Sequence, residues 1–511
     1  MQQLTGQDAM FLYLDKPHAA TSGLLVYLYD QTTAPGGLVR FKDILKYAAA
    51  NLHLAPFFRK KLLRVPLELD FPYLVDDDHF DLNYHVRHLA LPKPGDWRQF
   101  CIQAARIAAR PLDLSRPLWE MYVLEGLDHV DFLPEGSFAI LTKLHHAVVD
   151  GTALTELTWR LHTRTPEVPK VRRKPWRPEE APDTLSLLTR SAVRTALSSL
   201  RAGKALASVG PKLAGLAATL TAEAATGRHA VPATRFNGSI GSQRVYEGVI
   251  FPFEDVRAIK SAVPGATVND AVAAIVGGAV RRYLASKGEP VKPSLVAFMP
   301  INTRQDAAER ETQGNTVAVM TAAVRTDIAD PLRRIVGIHE ETSRSKTVSK
   351  AIGARELTDL TKHTPAPTML LASKLLLAGG FGGHPHLPFH NLCISNVPGP
   401  QFPLYFLGAK LTLFSVVAPV TDGLTLFFAV SSYDGKLIVT VTSAPEIVPD
   451  PAFMAQCLRA SFEETKLAAQ RAAPRARKKV DAGKPAARPR KQPARKARGA
   501  VPVRGPSDAT P

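Results

Sequence analysis

Leu141-Thr-Lys-Leu-His145-His146-Ala-Val-Val-Asp150-Gly151 is an apolar run that ends in two histidines and is closed by an aspartate and a glycine. Ser137 to Leu144 has the apolar density of a strand, and Thr152 to His162, with Leu154, Leu157 and Leu161 at helical spacing, reads as a helix. The doublet therefore stands at a strand-to-helix turn, where a side chain is held by rigid structure yet faces the mouth of a cleft. Neutral imidazole titrates close enough to pH 7 to take a proton from an attacking alcohol. Gly151 removes a Cβ where the chain reverses.

A plainer account of the same residues stays open at this point. A His-His pair can be structural, and Asp150 is well placed to be the N-cap of the following helix. Metal binding is disfavoured, because His145 and His146 leave an extended chain on opposite faces and no ligand cluster follows at zinc-like spacing. We expect no metal.

Working outward, the 511 residues are 45% hydrophobic and 22% charged, a globular composition long enough for more than one domain. Cys101, Cys393 and Cys457 form no CxxC and no even framework, which favours a reducing compartment. The N-terminus lacks the basic and apolar regions of a signal peptide, and no uncharged apolar run reaches the roughly 18 residues of a spanning helix. The expectation is a cytoplasmic protein, soluble or peripheral on the inner membrane or on lipid inclusions. The formal charge of +18 is concentrated at the end of the chain: Arg471 to Pro511 holds 13 Lys and Arg against Asp481 and Asp508. That Ala, Pro, Lys and Arg tail cannot build a core and is expected to be disordered.

Strands and helices mix in both halves, which makes the fold class α/β. Four segments follow: 1–165 containing the doublet, 166–234 as a linker and helical insertion, 235–465, and 466–511 as the basic tail. Pro166 to Glu180 is rich in proline and charge, a linker signature. In the helical pattern from Thr184 to about Ala222, Arg190, Arg194, Arg201 and Lys204 fall within about 80° of arc, with Leu185, Leu188, Ala192 and Ala196 opposite. Such a helix docks on the protein's own core or lies on anionic lipid. Asp76 to His88 is dense in polar residues and reads as an exposed loop. Asn269-Asp270 caps a helix over Ala271 to Ala285, Ser395 to Pro400 ends a strand in a rigid turn, and Asp434-Gly435 signals a type I′ hairpin.

With these landmarks set out, the chain resembles the bacterial wax ester synthase/diacylglycerol acyltransferase family from Leu4 to about Pro451. The resemblance is carried by Leu4-Thr-Gly-Gln-Asp-Ala-Met-Phe-Leu, Phe80-Asp-Leu-Asn-Tyr-His85-Val-Arg-His88, Pro117-Leu-Trp119, His145-His146-Ala-Val-Val-Asp150-Gly151, Arg235-Phe-Asn-Gly238, Thr267-Val-Asn269-Asp270, Pro300-Ile-Asn-Thr-Arg304, Ser395-Asn396-Val-Pro-Gly-Pro400 and Ser432-Tyr-Asp-Gly435. The doublet motif alone is shared with chloramphenicol acetyltransferase-type enzymes and condensation domains; the ordered set is more specific. Pro300-Ile-Asn-Thr-Arg304 departs from the more usual Pro-Val-Ser-Val-Arg, and the basic tail is an extension.

The resemblance implies two chloramphenicol acetyltransferase-like domains forming a pseudo-dimer around a central tunnel, with His146 as general base, Asp150 as orienter of the turn and His145 in support. Trp119, Asn269, Asp270, Ser395 and Asn396 become substrate-binding or tunnel-lining positions. Trp119 also reads as packing, and Asn269 as a low-priority oxyanion donor beside its cap role. The implied substrates are acyl-CoA with a diacylglycerol or long-chain alcohol, without a cofactor or carrier protein. The implied surroundings are an anionic membrane or inclusion surface, with non-specific polyanion contact open to the tail. A condensation-type acyltransferase with another acceptor and a non-catalytic inclusion or nucleic-acid binder are the competing functions.

Overall fold

The structure, a computed structural model, describes residues 1–148, 157–170, 172, 174–194, 231–290, 292–302, 317–352, 364–379, 383–384 and 387–482. In the first half the strands are β1 (Gln2–Gln3), β2 (Ser22–Asp30), β3 (Lys60–Leu63), β4 (Tyr73–Asp76), β5 (Val86–Ala90), β6 (Trp119–Leu127) and β7 (Ser137–His145). The second half has β8 (Val245–Pro252), β9 (Val296–Asn302), β10 (Val317–Ala323), β11 (Gly383–His384), β12 (Leu387–Pro388) and β13 (Leu392–Pro398). It continues with β14 (Tyr405–Phe406), β15 (Ala409–Val417), β16 (Phe427–Tyr433) and β17 (Lys436–Ser443).

Two six-stranded mixed sheets result, in the orders β14-β15-β2-β7-β6-β5 and β10-β9-β13-β16-β17-β8. β7 is buried along its whole length, which is why it reads as a continuous apolar run rather than an alternating one. The exception in its sequence is Lys143, fully buried, whose Nζ donates to the carbonyls of Ile107 (2.9 Å) and Arg110 at the end of the Trp97–Ala109 helix. Burial pushes this ammonium down to about 8. The lysine thus satisfies carbonyls that a helix terminus leaves unpaired.

β14 and β15 come from the second half of the sequence but pair into the first sheet, β15 running antiparallel to β2 from Lys410↔Asp30 to Val417↔Leu24. A division at residue 235 therefore describes the chain but not the sheets. Across to the other sheet, β15 is joined by side chains: Ser415 to Tyr246 Oη at 2.8 Å, Ser431 Oγ to the Phe414 carbonyl at 2.6 Å and Thr440 Oγ1 to the Val416 carbonyl at 2.8 Å. Each sheet has its own apolar core, and Tyr246, Tyr433 and Ile438 of the second half are buried in the core of the first.

Local rules explain most element boundaries. Thr5 caps the Gly6–Leu14 helix, and Asp96 with Gln99 forms a capping box on Trp97–Ala109. The cap of Val268–Ser286 is Thr267, two residues before the expected Asn269, with Asp270 as its reciprocal partner; Asn269 is already inside the helix, which starts three residues earlier than the sequence reading has it. Asp434 and Gly435, at φ 44° and 76°, make the expected I′ turn between β16 and β17. Asp76 to His88 is more ordered than the exposed loop expected: Leu82–His85 is a helical turn, β5 begins at Val86, and His85 is buried against Trp119. Ser395 to Pro398 is strand rather than turn, because the parallel partner β16 continues beside it to Ser432. The ladder from β13 to β9 stops at Cys393.

Candidate active site

β7 delivers the histidine doublet at its end, and strand alternation sends the two rings to opposite faces. His145 points inward and is 1% exposed. Its Nδ1 accepts from the Ala147 N–H at 3.1 Å, so its proton sits on Nε2, which donates to Asp15 Oδ2 at 2.9 Å. The other Asp15 oxygen accepts from the Thr21 N–H (2.6 Å) and hydroxyl (2.8 Å). Burial pushes the Asp15 carboxyl up, but the bonds from His145 and Thr21 outweigh it and hold the group below its ordinary value. This carboxylate stays ionised and clamps the ring beside the catalytic candidate.

His146 leaves the other face, only partly exposed. Its N–H donates to the Thr21 carbonyl at 3.3 Å, and its ring stacks on Phe11 of the Gly6–Leu14 helix with centroids 5.2 Å apart and planes 28° apart. On β2, Gly23 leaves room beside it: a Cβ there would stand 3.7 Å from His146 Nε2. Burial, reinforced by the neighbouring His145 and opposed by Asp15, lowers the His146 imidazole from 6.5 to about 4. At neutral pH the ring is uncharged and can accept a proton.

The remaining sequence-derived positions fall into separate groups. Leu118, in Pro117-Leu-Trp119, supports the doublet by accepting from the His145 N–H at 3.1 Å. Trp119 is committed to packing: it is 1% exposed, donates from Nε1 to the Phe58 carbonyl at 2.9 Å and stacks on His85. In the second half, Asn269 Oδ1 accepts from Asn396 Nδ2 at 2.7 Å, tying the Val268–Ser286 helix to β13; Asn396 Oδ1 is buried without a hydrogen-bond partner among the described residues. Asp270 is fully buried and accepts from the Thr267 N–H (2.8 Å), Thr342 Oγ1 (2.8 Å) and His339 Nδ1 (3.0 Å). Ser395 lies one residue earlier on β13, partly exposed. Asp150 and Gly151 lie outside the described residues.

Four residues of the site were not singled out from sequence: Phe11, Asp15, Thr21 and Gly23. One signal was available, since a glycine inside the apolar run Ser22–Asp30 marks a close approach or a needed gap. Asp15 gave none, being one acidic residue between a helix and Pro17. Elsewhere, Asp77, Asp78 and His79 place ligand-type atoms within 4.8 Å of one another, but Lys61 Nζ already neutralises both carboxylates at 3.0 and 2.7 Å.

Comparison with known proteins agrees with this geometry. Residues 4–272 match the wax ester synthase/diacylglycerol acyltransferase catalytic domain, and residues 313–466 match the C-terminal domain of the same family. A Mycobacterium tuberculosis protein carrying the name diacylglycerol O-acyltransferase is 34% identical over 463 residues, covering 88% of this chain and 87% of its own. The solved wax ester synthase/diacylglycerol acyltransferase of Marinobacter aquaeolei VT8 superposes with a TM-score of 0.63 at 26% identity, over 92% of this chain and 100% of that one. The first condensation domain of the calcium-dependent antibiotic synthetase shares the fold, with a TM-score of 0.53 at 15% identity over 92% of this chain and 96% of that one. The chain belongs to the wax ester synthase/diacylglycerol acyltransferase family and is an acyltransferase.

Proposed function

We propose that the protein transfers a fatty acyl group from acyl-CoA to the hydroxyl of a diacylglycerol or a long-chain alcohol, with His146 as general base. The observation that carries this reading is an imidazole kept neutral by burial, stacked on Phe11 and facing the gap at Gly23, while the adjacent His145 is fixed by Asp15.

The acceptor hydroxyl gives its proton to His146 as its oxygen attacks the thioester carbonyl. The C–S bond then breaks, and the imidazolium returns the proton to the departing thiolate, leaving an ester and free CoA. Such base assistance is worth roughly a hundred- to ten-thousandfold. The thioester is already activated, so no protein nucleophile and no cofactor enters the reading. The ionised Asp15 favours the imidazolium as it forms and opposes a small part of what burial and His145 impose. Asn269 remains our choice for a donor to the oxyanion, its carbonyl oxygen being the part that Asn396 uses.

No described helix is long and apolar enough to cross a membrane. With acceptors of this kind we read the protein as peripheral on a membrane or inclusion surface, with the basic tail as an accessory that can contact polyanions. Mass-spectrometric identification of the neutral lipid made from palmitoyl-CoA, with diacylglycerol, hexadecanol and an amine in competition, tests the function. Ester products support it; amide as the main product favours a condensation-type reaction.

A further inference from the structure

One corner of the first half presents more apolar surface to water than folding requires. Between β3 and β4 the chain turns through Pro66–Glu68, where Leu67 and Glu68 both adopt left-handed backbone, at φ 56° and 53°. Neither residue is glycine, and a leucine in that region is a costly choice. The conformation holds Leu67 88% exposed, with Leu69 40% exposed beside it. Arg64 Nη1 braces the turn by pairing with Glu68 at 2.9 Å.

The helix at 184–194 lies against the same turn. Asp183 caps it through the Ser186 N–H. Leu187 is buried with Val65, Tyr73 and Val75, and Arg194 Nε stands 3.8 Å from Asp70, so the helix is pinned just before and just after Leu67 and Leu69. Its docked side is Leu187 and Ser191, not the Leu185–Ala192 stripe that the helical wheel of the whole segment singles out. At about 100° per residue, Leu185, Thr189 and Val193 fall on the opposite side. Leu185 is 70% and Val193 63% exposed. Arg190, also exposed, lies at the edge of that outer side, about 100° from its centre, whereas Arg194 lies on the docked side with Asp70.

We propose that this turn and the outer side of the helix form one insertion surface for a lipid layer. Leu67, Leu69, Leu185 and Val193 enter the acyl region, while Arg190 rests at phosphate level. Backbone strain spent on exposing a leucine, an exposed apolar row on the helix docked beside that turn and a guanidinium at the edge of the row are what an interfacial element needs. The assignment rests on the reading above that the substrates are lipids, and it adds where the enzyme meets them.

The test uses the full chain, vesicles of phosphatidylcholine with or without phosphatidylglycerol, and the double variant Leu67→Asp/Leu185→Asp. Partition into both kinds of vesicle should fall by roughly tenfold or more, since two side chains that would enter hydrocarbon become charged. The variant's turnover on a dispersed short-chain diacylglycerol should match the parent protein. In Arg190→Gln the loss should be smaller and confined to vesicles containing phosphatidylglycerol. Undiminished partition of the double variant overturns the surface and leaves a peripheral enzyme docking elsewhere. A parent protein that binds no vesicle overturns both the surface and the peripheral reading, while its turnover on dispersed substrates judges the acyl-transfer reading separately. Turnover on dispersed substrate that falls with partition assigns these residues to the substrate path and also overturns the proposal. So does a parent dimer that the double variant dissociates, which makes the face a contact between two copies.

Discussion

Each half of the molecule holds a histidine on a carboxylate, and the two pairs are built in opposite senses. In the first half His145 is 1% exposed at its side chain and Asp15 19%, with 2.9 Å between them; in the second, His339 is 29% exposed and Asp270 1%, with 3.0 Å between them. The first pair buries the ring, spends both of its nitrogens on fixed partners, and so sets the strand end from which His146 emerges. The second buries the carboxylate, which caps a helix and accepts from three donors. A histidine–aspartate contact is therefore no signature of catalysis; what differs is whether the pair positions a third group that can reach substrate.

His146→Ala should sharpen that distinction most. Turnover with acyl-CoA and alcohol should fall by roughly a hundred- to ten-thousandfold, while the thermal midpoint measured by circular dichroism stays close to the parent's. Retained turnover removes the base assignment. Asp15→Asn comes next. It keeps an acceptor for Thr21 but removes the charge that holds His145 and favours imidazolium, so kcat should fall by roughly ten- to a hundredfold with KM little changed. A KM effect alone would make Asp15 a binding residue, and the contrast between the two halves would lose its basis.

Much of this was legible beforehand because it depends on local pattern. The apolar run before the doublet, the Asp434-Gly435 turn and the α/β alternation all follow from residues within one or two turns of each other. Apart from the cap at Thr267, which lies within three residues of the one expected, the misses are long-range. Nothing near Ala409–Val417 says that this strand joins a sheet begun at Ser22. The clamp on His145 spans 130 residues, and no spacing rule connects Asp15 to it. The helix at 184–194 shows the limit of a periodicity argument: two faces of it carry leucine, and which one docks is decided by Val65 and Tyr73, far away in the chain. Lys143 is a further case, a cation in an apolar strand explained only by the helix end above it.

Smaller effects test how the base is tuned. Between the usual value of 6.5 and the folded value of about 4, the unfolded chain binds a proton at His146 that the folded chain does not. That contribution to stability is complete above pH 6.5 and is lost as pH falls toward 4. His162, accepting from or donating to Tyr29 at 2.8 Å within the core, and His390 are lowered to the same value and act in the same direction. Rapid assays should therefore show kcat nearly flat from pH 8 to about 5, with the thermal midpoint declining over part of that range. An acidic limb centred near 6.5 would mean that the active base is not the desolvated ring. Gly23→Ala should cost less, roughly three- to tenfold in kcat/KM, because the new methyl meets His146 Nε2 at an ordinary contact distance of 3.7 Å and occupies space the acceptor oxygen needs.

Asp270 is where the comparison predicts the smallest effect on chemistry. Asp270→Ala deletes the acceptor for three donors at once: the Thr267 N–H at the helix start, the Thr342 hydroxyl and His339 Nδ1. A lost cap and buried unpaired donors together cost about 3 kcal/mol, which should lower the thermal midpoint by several degrees. Asp270→Asn should recover much of that, because its carbonyl oxygen can face the Thr267 and His339 donors while its amide donates to the Thr342 hydroxyl, which rotates to accept. If the carboxylate only caps a helix, turnover per folded molecule is the same in both variants and in the parent. Should Asp270→Asn fold normally and still lose turnover, the second pair also acts on the reaction, and the bond from Asn396 to the adjacent Asn269 becomes the route by which it does so.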